Sequence, residues 1–411
     1  MASASILILS SGPLCRNPRV LKEATALGAH GFDVTVMTLA GLPRYEAYDR
    51  ELMTSAPFRK IALDHMSATG VRGMVGRTNR LATWLARKAI RFGVESGRAL
   101  GPVASFSRMA RRFRADLTIV HTELPMLVGR GLLAQGRRVA ADFEDWHTRD
   151  LLPSAQATRP LKLLRALEGD LMRRAVYTST TSASLADALQ AAYGAPRPVV
   201  ITNSFPLQPQ PARAPLRGPP ALFWFSQTIG AGRGLESFIA AWGRTQQPSR
   251  LCLLGDVDPE YRSSLVRPLS GRHRDALEFL PLTSPQELPA VIARHDLGLA
   301  LEASNPSSRD LTITNKILQY LNAGLAVLAS DTSGQREVLH QAPDAGRLLP
   351  SVGTDELARW LDVLLADPGR IATMGREARR AAERIYCWER EVPRLVAAVE
   401  AALTLPPGVA R

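Results

Sequence analysis

Two α/β domains, each a doubly wound parallel sheet, are what this 411-residue sequence predicts. Three observations carry the expectation. Short apolar, strand-like runs alternate with helical patterns, as parallel βαβ units require. A proline-rich stretch, PLQPQPARAPLRGPP at 206–220, then breaks the alternation with few core-forming residues. After it the alternation starts again. A chain of this length also exceeds one ordinary hydrophobic core. The expected organisation is a first Rossmann-like domain at 1–205, a linker at 206–220, a second such domain at 221–385, and a closing helix at 386–411.

In the first half the expected strands are Ser5 to Leu9, Val34 to Thr38, Leu117 to His121, Val139 to Phe143, Val176 to Thr180 and Val199 to Thr202. In the second half six runs read as strands: ALFWFS, SRLCLLG, LEFLP, DLGLALE, LAVLAS and GRLLP. Each is short, apolar and bounded by turn formers or a helical pattern. In such sheets ligands bind beyond the carboxyl ends of the strands, so the loops that follow the strands are where functional residues are sought.

Composition narrows the function. Hydrophobic content of 45% and charged content of 22% describe a globular protein. Cys15, Cys252 and Cys387 have no metal-ligand or redox spacing, which suits a reducing compartment. The N-terminal MASASILILSSG lacks a secretory pattern, and no apolar run is long enough to span a bilayer. A cytoplasmic protein is expected, at most touching the inner face of a membrane. The net charge of +13 is carried by arginine, since the lysines are only Lys22, Lys60, Lys88, Lys162 and Lys316. Such a balance suits phosphorylated ligands or anionic lipid, or reflects genome composition. No nucleic-acid-binding signature is present. The arginines concentrate between Arg72 and Arg114, interleaved with Leu81, Trp84, Leu85 and Phe92 at helical spacing. That is a basic amphipathic helix region, either a solvated face or a surface that meets anionic lipid.

Lys316 sits in TNKILQYLNAGLAVLAS, where Thr314 caps a helix, Gly324 stops it and Leu325 to Ala329 form a strand. A cation in the first turn is locally unfavourable by a few tenths of a kcal/mol, so an anionic ligand is expected there. Gln319 and Tyr320 are expected on the Lys316 face of the helix, with Ile317, Leu318 and Leu321 turned to the core. Upstream, SQTIGAGRGLE places Gly230, Gly232 and Gly234 between a strand and a helix, a loop of the kind that offers backbone N–H groups to phosphate. Arg233 adds a guanidinium fork suited to phosphate oxygens. Asn315 beside Lys316, and Glu337 after the next strand, join this candidate set. The triplet Asp256-Val257-Asp258 is a poor metal site and reads as the start of a loop. In the first half, Glu144, Asp145 and His147 follow a strand in ADFEDWH and are candidates to orient or deprotonate a hydroxyl. Arg16, Asn17 and Arg19 follow the first strand and could hold phosphate or another anionic group. Both sets are expected to open on one crevice; a helix cap or structural loop is the plain alternative for each.

These segments resemble the GT-B glycosyltransferases of family 4. TNKILQYLNAGLAVLASDTSGQREV is similar to their nucleotide-sugar segment and SQTIGAGRGLE to their phosphate loop. CRNPRVLKEATALGAHGFDVTVMT resembles their first loop and helix, ADFEDWHTRDLLP their mid-domain region, and MGREARRAAERIYCWE their closing helix. The resemblance implies a retaining, metal-independent transferase that moves a sugar from an NDP-sugar co-substrate to a glycan, lipid-linked or small-molecule acceptor, with no other cofactor. It points to polysaccharide or lipid-linked glycan assembly in a bacterium. The chain departs from the family pattern at three places. The paired glutamates are replaced by Leu311 and Gln319, a usual basic residue by Thr228, and a proline by Ala326. The alternatives are a GT-B protein that binds nucleotide sugar without transferring it, or a nucleotide-sugar epimerase. A dinucleotide oxidoreductase is disfavoured, because neither first strand is followed by a complete Gly-x-Gly-x-x-Gly.

Overall fold

The computed structural model describes residues 3–64, 70–151, 156–209 and 218–406. The chain divides into two compact units, Met1–Ile201 with Val392–Arg411, and Thr202–Glu391. Residues 210–217 of the expected linker lie outside the described residues.

The first unit is built on a seven-stranded sheet, every described pairing of which is parallel. Its strands are β1 (Ser5–Leu9), β2 (Asp33–Leu39), β3 (Arg59–Leu63), β4 (Leu117–His121), β5 (Val139–Phe143), β6 (Thr178–Thr180) and β7 (Val199–Val200). Their order is β3-β2-β1-β4-β5-β6-β7, so the sheet reverses direction beside β1. The sequence reading misses β3. That strand is half exposed at the sheet edge and pairs only with β2, so RKIAL carries no continuous apolar run. The segments ending at Thr180 and Thr202 form shorter strands than expected, although the Ile201 N–H still donates to Thr180 O at 2.8 Å. The C-terminal segment belongs to this unit: Arg138 Nε donates to Leu405 O (2.6 Å), and Ala398 and Ala402 lie beside Val176 and Tyr177.

The second unit holds a six-stranded parallel sheet. Its strands are β8 (Ala221–Ile229), β9 (Arg250–Val257), β10 (Leu277–Leu280), β11 (Leu297–Ala300), β12 (Ala326–Ala329) and β13 (Gly346–Leu348), in the order β10-β9-β8-β11-β12-β13. All six were legible as apolar runs; the central strands β8, β9, β11 and β12 are largely buried, and the edge strand β10 keeps an apolar sequence although half exposed. Alternation along the strands separates two cores. Leu222, Trp224, Leu251, Leu253, Leu297 and Leu299 pack with helices Leu235–Trp242 and Thr354–Leu365. Phe223, Cys252, Leu254, Val327 and Ala329 pack with helices Asn315–Ala323 and Ser333–Gln341.

Tyr320 departs from the expectation that it shares the ligand-facing side of Lys316. It is fully buried, lies edge-on to Phe225 with ring centroids 5.7 Å apart, and is within hydrogen-bond reach of Phe223 O (3.2 Å) and Leu299 O (3.3 Å). Its ring lies over Gly298, where any Cβ would fall well inside contact distance of Tyr320 Cγ. Gly298→Ala should therefore cost about 1–3 kcal/mol through overpacking, whereas Tyr320→Phe, which removes only the hydroxyl, should cost about 1 kcal/mol. Urea midpoints of the two variants check the order.

Candidate functional site

Each sheet reverses beside its own first strand, and each reversal point carries a buried cluster of charged side chains. In the second unit the loop after β8 contains Gly232 (φ +80) and Gly234 (φ +76), the latter at the N-cap of helix Leu235–Trp242. Left-handed backbone at both positions is open to glycine at little cost. Between them Arg233 projects its Nη1 to Glu302 Oε1 (2.7 Å), beyond the carboxyl end of β11. Lys316 Nζ reaches the same oxygen at 2.9 Å. One carboxylate oxygen thus joins two cations.

Lys316 is the buried member of the trio, at 6% exposure. Its helix forms as expected: Thr314 accepts from the Ile317 N–H (3.5 Å), and Gly324 closes it at φ +66. The ammonium lies 5.3 Å from the Trp224 ring centroid, a cation–π contact in a desolvated setting. Burial pushes the Lys316 pKa down, opposed by the Glu302 carboxylate. Burial also acts to raise the Glu302 pKa, but Lys316 and Arg233 outweigh it and hold the carboxyl below its usual range. The ionised trio keeps one surplus positive charge. Three buried oxygens in this neighbourhood of the chain have no hydrogen-bond partner among the described residues: Glu302 Oε2, Thr332 Oγ1 and Gln335 Oε1. Ser330 links two of these residues, since its Oγ accepts from the Glu302 N–H and its carbonyl from Gln335 Nε2.

Glu302 is the residue of this trio that the sequence reading missed. Its signal was the last letter of DLGLALE, an acidic residue closing an otherwise apolar strand. Of the other candidates, Asn315 is exposed and its Oδ1 accepts from Asn203 Nδ2 (2.9 Å). Gln319 and Glu337 are half-buried. Gly230 lies at the end of β8. Asp258 caps helix Pro259–Val266 by accepting from the Glu260 and Tyr261 N–H groups. Among the described residues no group of three or more His, Cys, Asp or Glu could hold a metal ion.

In the first unit, Arg19 and Glu23 lie on helix Pro18–Ala29, His121 ends β4 and Asp142 lies on β5. Arg19 is 3% exposed and donates to both oxygens of Asp142 (2.7 and 2.6 Å) and to Ile201 O (2.8 Å). The structure thus commits Arg19 to Asp142 instead of presenting it to a phosphate or acceptor. Ser179 Oγ adds a hydrogen bond to Asp142 (2.6 Å). His121 Nε2 is 2.5 Å from Glu23 Oε2, and its Nδ1 is 3.3 Å from Asp142 Oδ2. Burial acts to depress the His121 pKa, but Glu23 and Asp142 overcome it and push it up to about 10. The quartet is therefore charge-balanced. Next to it the Ser11 and Thr122 hydroxyls meet at 2.7 Å across the β1–β4 reversal, with Thr122 in left-handed backbone at φ +64.

The remaining first-half candidates surround this quartet. Asn17 caps helix Pro18–Ala29 by accepting from the Val20 N–H (3.1 Å). Arg16 is exposed, and its Nη1 donates to Tyr45 OH (3.1 Å). Glu144 lies one residue beyond β5, and burial raises its pKa. Asp145 is half-buried. Burial lowers the His147 pKa to about 4, and its Nε2 is buried without a partner among the described residues. A neutral imidazole with one open nitrogen can accept a hydroxyl proton in a hydrogen bond, though so low a basicity limits outright abstraction.

Two predictions follow from these clusters. The His121 pKa is raised from about 6.5 to about 10, so its stabilisation is complete below about pH 6.5 and fades as pH rises towards 10. His121→Gln should accordingly lower the urea midpoint more at about pH 6 than at about pH 9.5. In the second unit, Glu302→Ala strands the buried Lys316 ammonium and should cost about 3–5 kcal/mol, whereas Glu302→Ala with Lys316→Met should recover most of that loss. Calorimetric melting of the single and double variants tests the coupling.

Residues 219–367 match the model of the family "Glycosyl transferases group 1". The comparison with curated proteins finds no match. Among solved structures, the chain is similar to a sucrose-phosphate synthase from Thermosynechococcus elongatus, with 17% identity, 97% of this chain and 98% of that chain covered, and a TM-score of 0.69. It is similar to HepE of Anabaena in complex with UDP-glucose, with 17% identity, 97% and 99% covered, and a TM-score of 0.65. It also resembles a putative UDP-N-acetylglucosamine 2-epimerase from Listeria monocytogenes, with 13% identity, 98% and 97% covered, and a TM-score of 0.58. Both parallel sheets and the matched structures fit a two-domain, Rossmann-like GT-B fold. Residues 219–367, which contain Arg233, Glu302 and Lys316, match the glycosyl transferases group 1 family, and with the fold this supports a GT-B glycosyltransferase.

Proposed function

We propose that the protein transfers a sugar from an NDP-sugar to a glycan, lipid-linked or small-molecule acceptor, with retention of configuration and without a metal ion. The observation that carries this is the Arg233–Glu302–Lys316 trio at the reversal of the second sheet, inside the segment that matches a glycosyltransferase family. Departure of a nucleoside diphosphate needs its developing charge stabilised. The trio has a surplus positive charge for this, backed by the glycine loop and the helix start at Leu235. Arg233, the more exposed cation, would meet the diphosphate, while Glu302 holds both cations in place before the donor arrives. That HepE of Anabaena was solved with UDP-glucose favours a nucleotide-sugar donor. In the first domain, Glu144, Asp145 and His147 are assigned to the acceptor hydroxyl. Assembly of a bacterial polysaccharide or lipid-linked glycan is the proposed setting, in the cytoplasm and in peripheral contact with an anionic membrane.

A second reading, nucleotide-sugar epimerisation, is favoured by the Listeria neighbour. It would convert the donor with no acceptor present. A donor-binding protein without transfer is favoured by Gln319 and Leu311, where the resembling family carries glutamates.

The test begins with a thermal-shift screen of UDP-, GDP-, ADP- and CMP-linked sugars, followed by transfer assays in EDTA. Arg233→Ala and Lys316→Ala should each weaken donor binding by about 1.5–3 kcal/mol. Glu144→Gln and His147→Ala should reduce turnover and leave donor affinity nearly intact. Unchanged affinity in both cation variants by titration calorimetry, with folding intact, would remove the trio from the donor site.

A further inference from the structure

Residues 65–115 contain eleven basic residues and one acid, Glu95, a surplus of ten in a chain whose net charge is +13. The one acid is turned inward, where its carboxylate accepts from the Lys162 and Leu163 N–H groups at the start of helix Leu161–Arg174. The same stretch holds seven of the twelve large apolar side chains exposed among the described residues.

Helix Gly70–Ala89 is amphipathic in the reverse sense. The face turned towards the rest of the unit carries small or polar residues, with Gly76 buried and Asn79, Thr83 and Ala86 half-buried. Its outer arc carries Met74 (67% exposed), Leu81 (58%), Trp84 (55%) and Leu85 (52%). At the 100° helical spacing these four share one arc with Arg77 and Lys88, and Arg80 and Arg87 lie on its flank. The stripe continues into Phe92, 86% exposed. Lys88 Nζ lies 5.7 Å from the Trp84 ring centroid, a cation–π approach on the same face. On the neighbouring helix Val103–Arg112, which approaches through Asn79 Nδ2 and Ser105 Oγ (3.5 Å), Arg108, Arg111 and Arg112 line an open concavity of about 510 Å³.

We propose that this surface docks on an anionic lipid bilayer, with Met74, Leu81, Trp84, Leu85 and Phe92 entering the headgroup boundary and the arginines engaging lipid phosphates. A stripe of exposed apolar side chains interleaved with and flanked by cations is the chemistry of an interfacial helix. A second copy fits less well, because a two-fold contact would set the same arginine-rich surface against itself. Nucleic acid would engage the guanidinium groups but leaves Met74, Leu81 and Leu85 without a role. The proposal gives the membrane contact of the proposed function its residues. It does not require the acceptor to be a lipid, because docking is read on vesicles that contain no acceptor.

The experiment is flotation of the full chain with phosphatidylglycerol–phosphatidylcholine vesicles, against phosphatidylcholine alone. The chain should float with the anionic vesicles and be released by salt, since Debye screening shortens to about 3 Å at about 1 M. Trp84→Asp with Leu85→Asp should abolish flotation while leaving the melting temperature unchanged. Removing Lys88 or Arg91 should weaken partitioning about fivefold each. Brominated acyl chains should quench wild-type tryptophan fluorescence more than that of Trp84→Phe. The proposal is overturned by absence of flotation at low salt, or by a double-Asp variant that floats as well as the wild type. It is equally overturned if light scattering shows a dimer that this variant dissociates, or if an RNA oligonucleotide binds tightly while vesicles do not. Loss of docking with donor binding retained would leave the transferase reading standing, and the converse would leave docking standing.

Discussion

Parallel pairing is the constraint from which the rest of the molecule follows. A parallel strand is reached only through a crossover, and a sheet that grows in both directions from its first strand must reverse beside that strand. Both units do so, at β1–β4 and at β8–β11. At these reversals the chain places residues that would be costly anywhere else in the core. Arg19, His121, Asp142 and Glu23 are all nearly buried, as are Lys316 and Glu302. Removing ions from water costs several kcal/mol each unless geometry and pairing compensate.

The two clusters resolve this problem differently. In the first unit, two cations and two carboxylates satisfy one another, with Arg19 gripping Asp142 by two nitrogens. That arrangement is electrostatically closed, and it fixes the strand ends from which Glu144 and His147 emerge. In the second unit, one carboxylate oxygen is divided between Arg233 and Lys316, and the other oxygen of Glu302 has no partner among the described residues. The two cations on one carboxylate leave a surplus positive charge that suits an anion, while the unpartnered carboxylate oxygen calls for a donor. This difference in balance is what supports the proposed ligand role of the second cluster, and it suits the first to a scaffold role.

Legibility in the sequence tracked burial. The six strands of the second sheet, the Thr314 cap and the Gly324 stop were readable, because an apolar run or a capping residue carries its structural reason locally. The edge strand β3 was not, since half-exposed positions need no apolar pattern. Tyr320 was misplaced for another reason: a helical wheel shows it adjacent to Lys316, but the vacancy over Gly298 that receives its ring exists only when β11 is beneath the helix. Glu302 and His121 were missed because their partners lie 14 and 98 residues away in the sequence. Local spacing cannot reveal a pairing made by topology. The amphipathic pattern at 74–92 was visible, but its outward direction was not, because periodicity alone does not say which face is inside.

The first unit is not contiguous in the chain. Its C-terminal portion, which carries Ala398, Ala402 and the carbonyl that receives Arg138, follows the whole of residues 202–391. During synthesis the second unit therefore emerges in full before the last piece of the first. Domains generally fold as units as they leave the ribosome, so the later domain can mature while the earlier one still has an unfilled surface around Val176 and Tyr177. The final helix is then the step that completes the older half, and the order of completion runs opposite to the order of appearance.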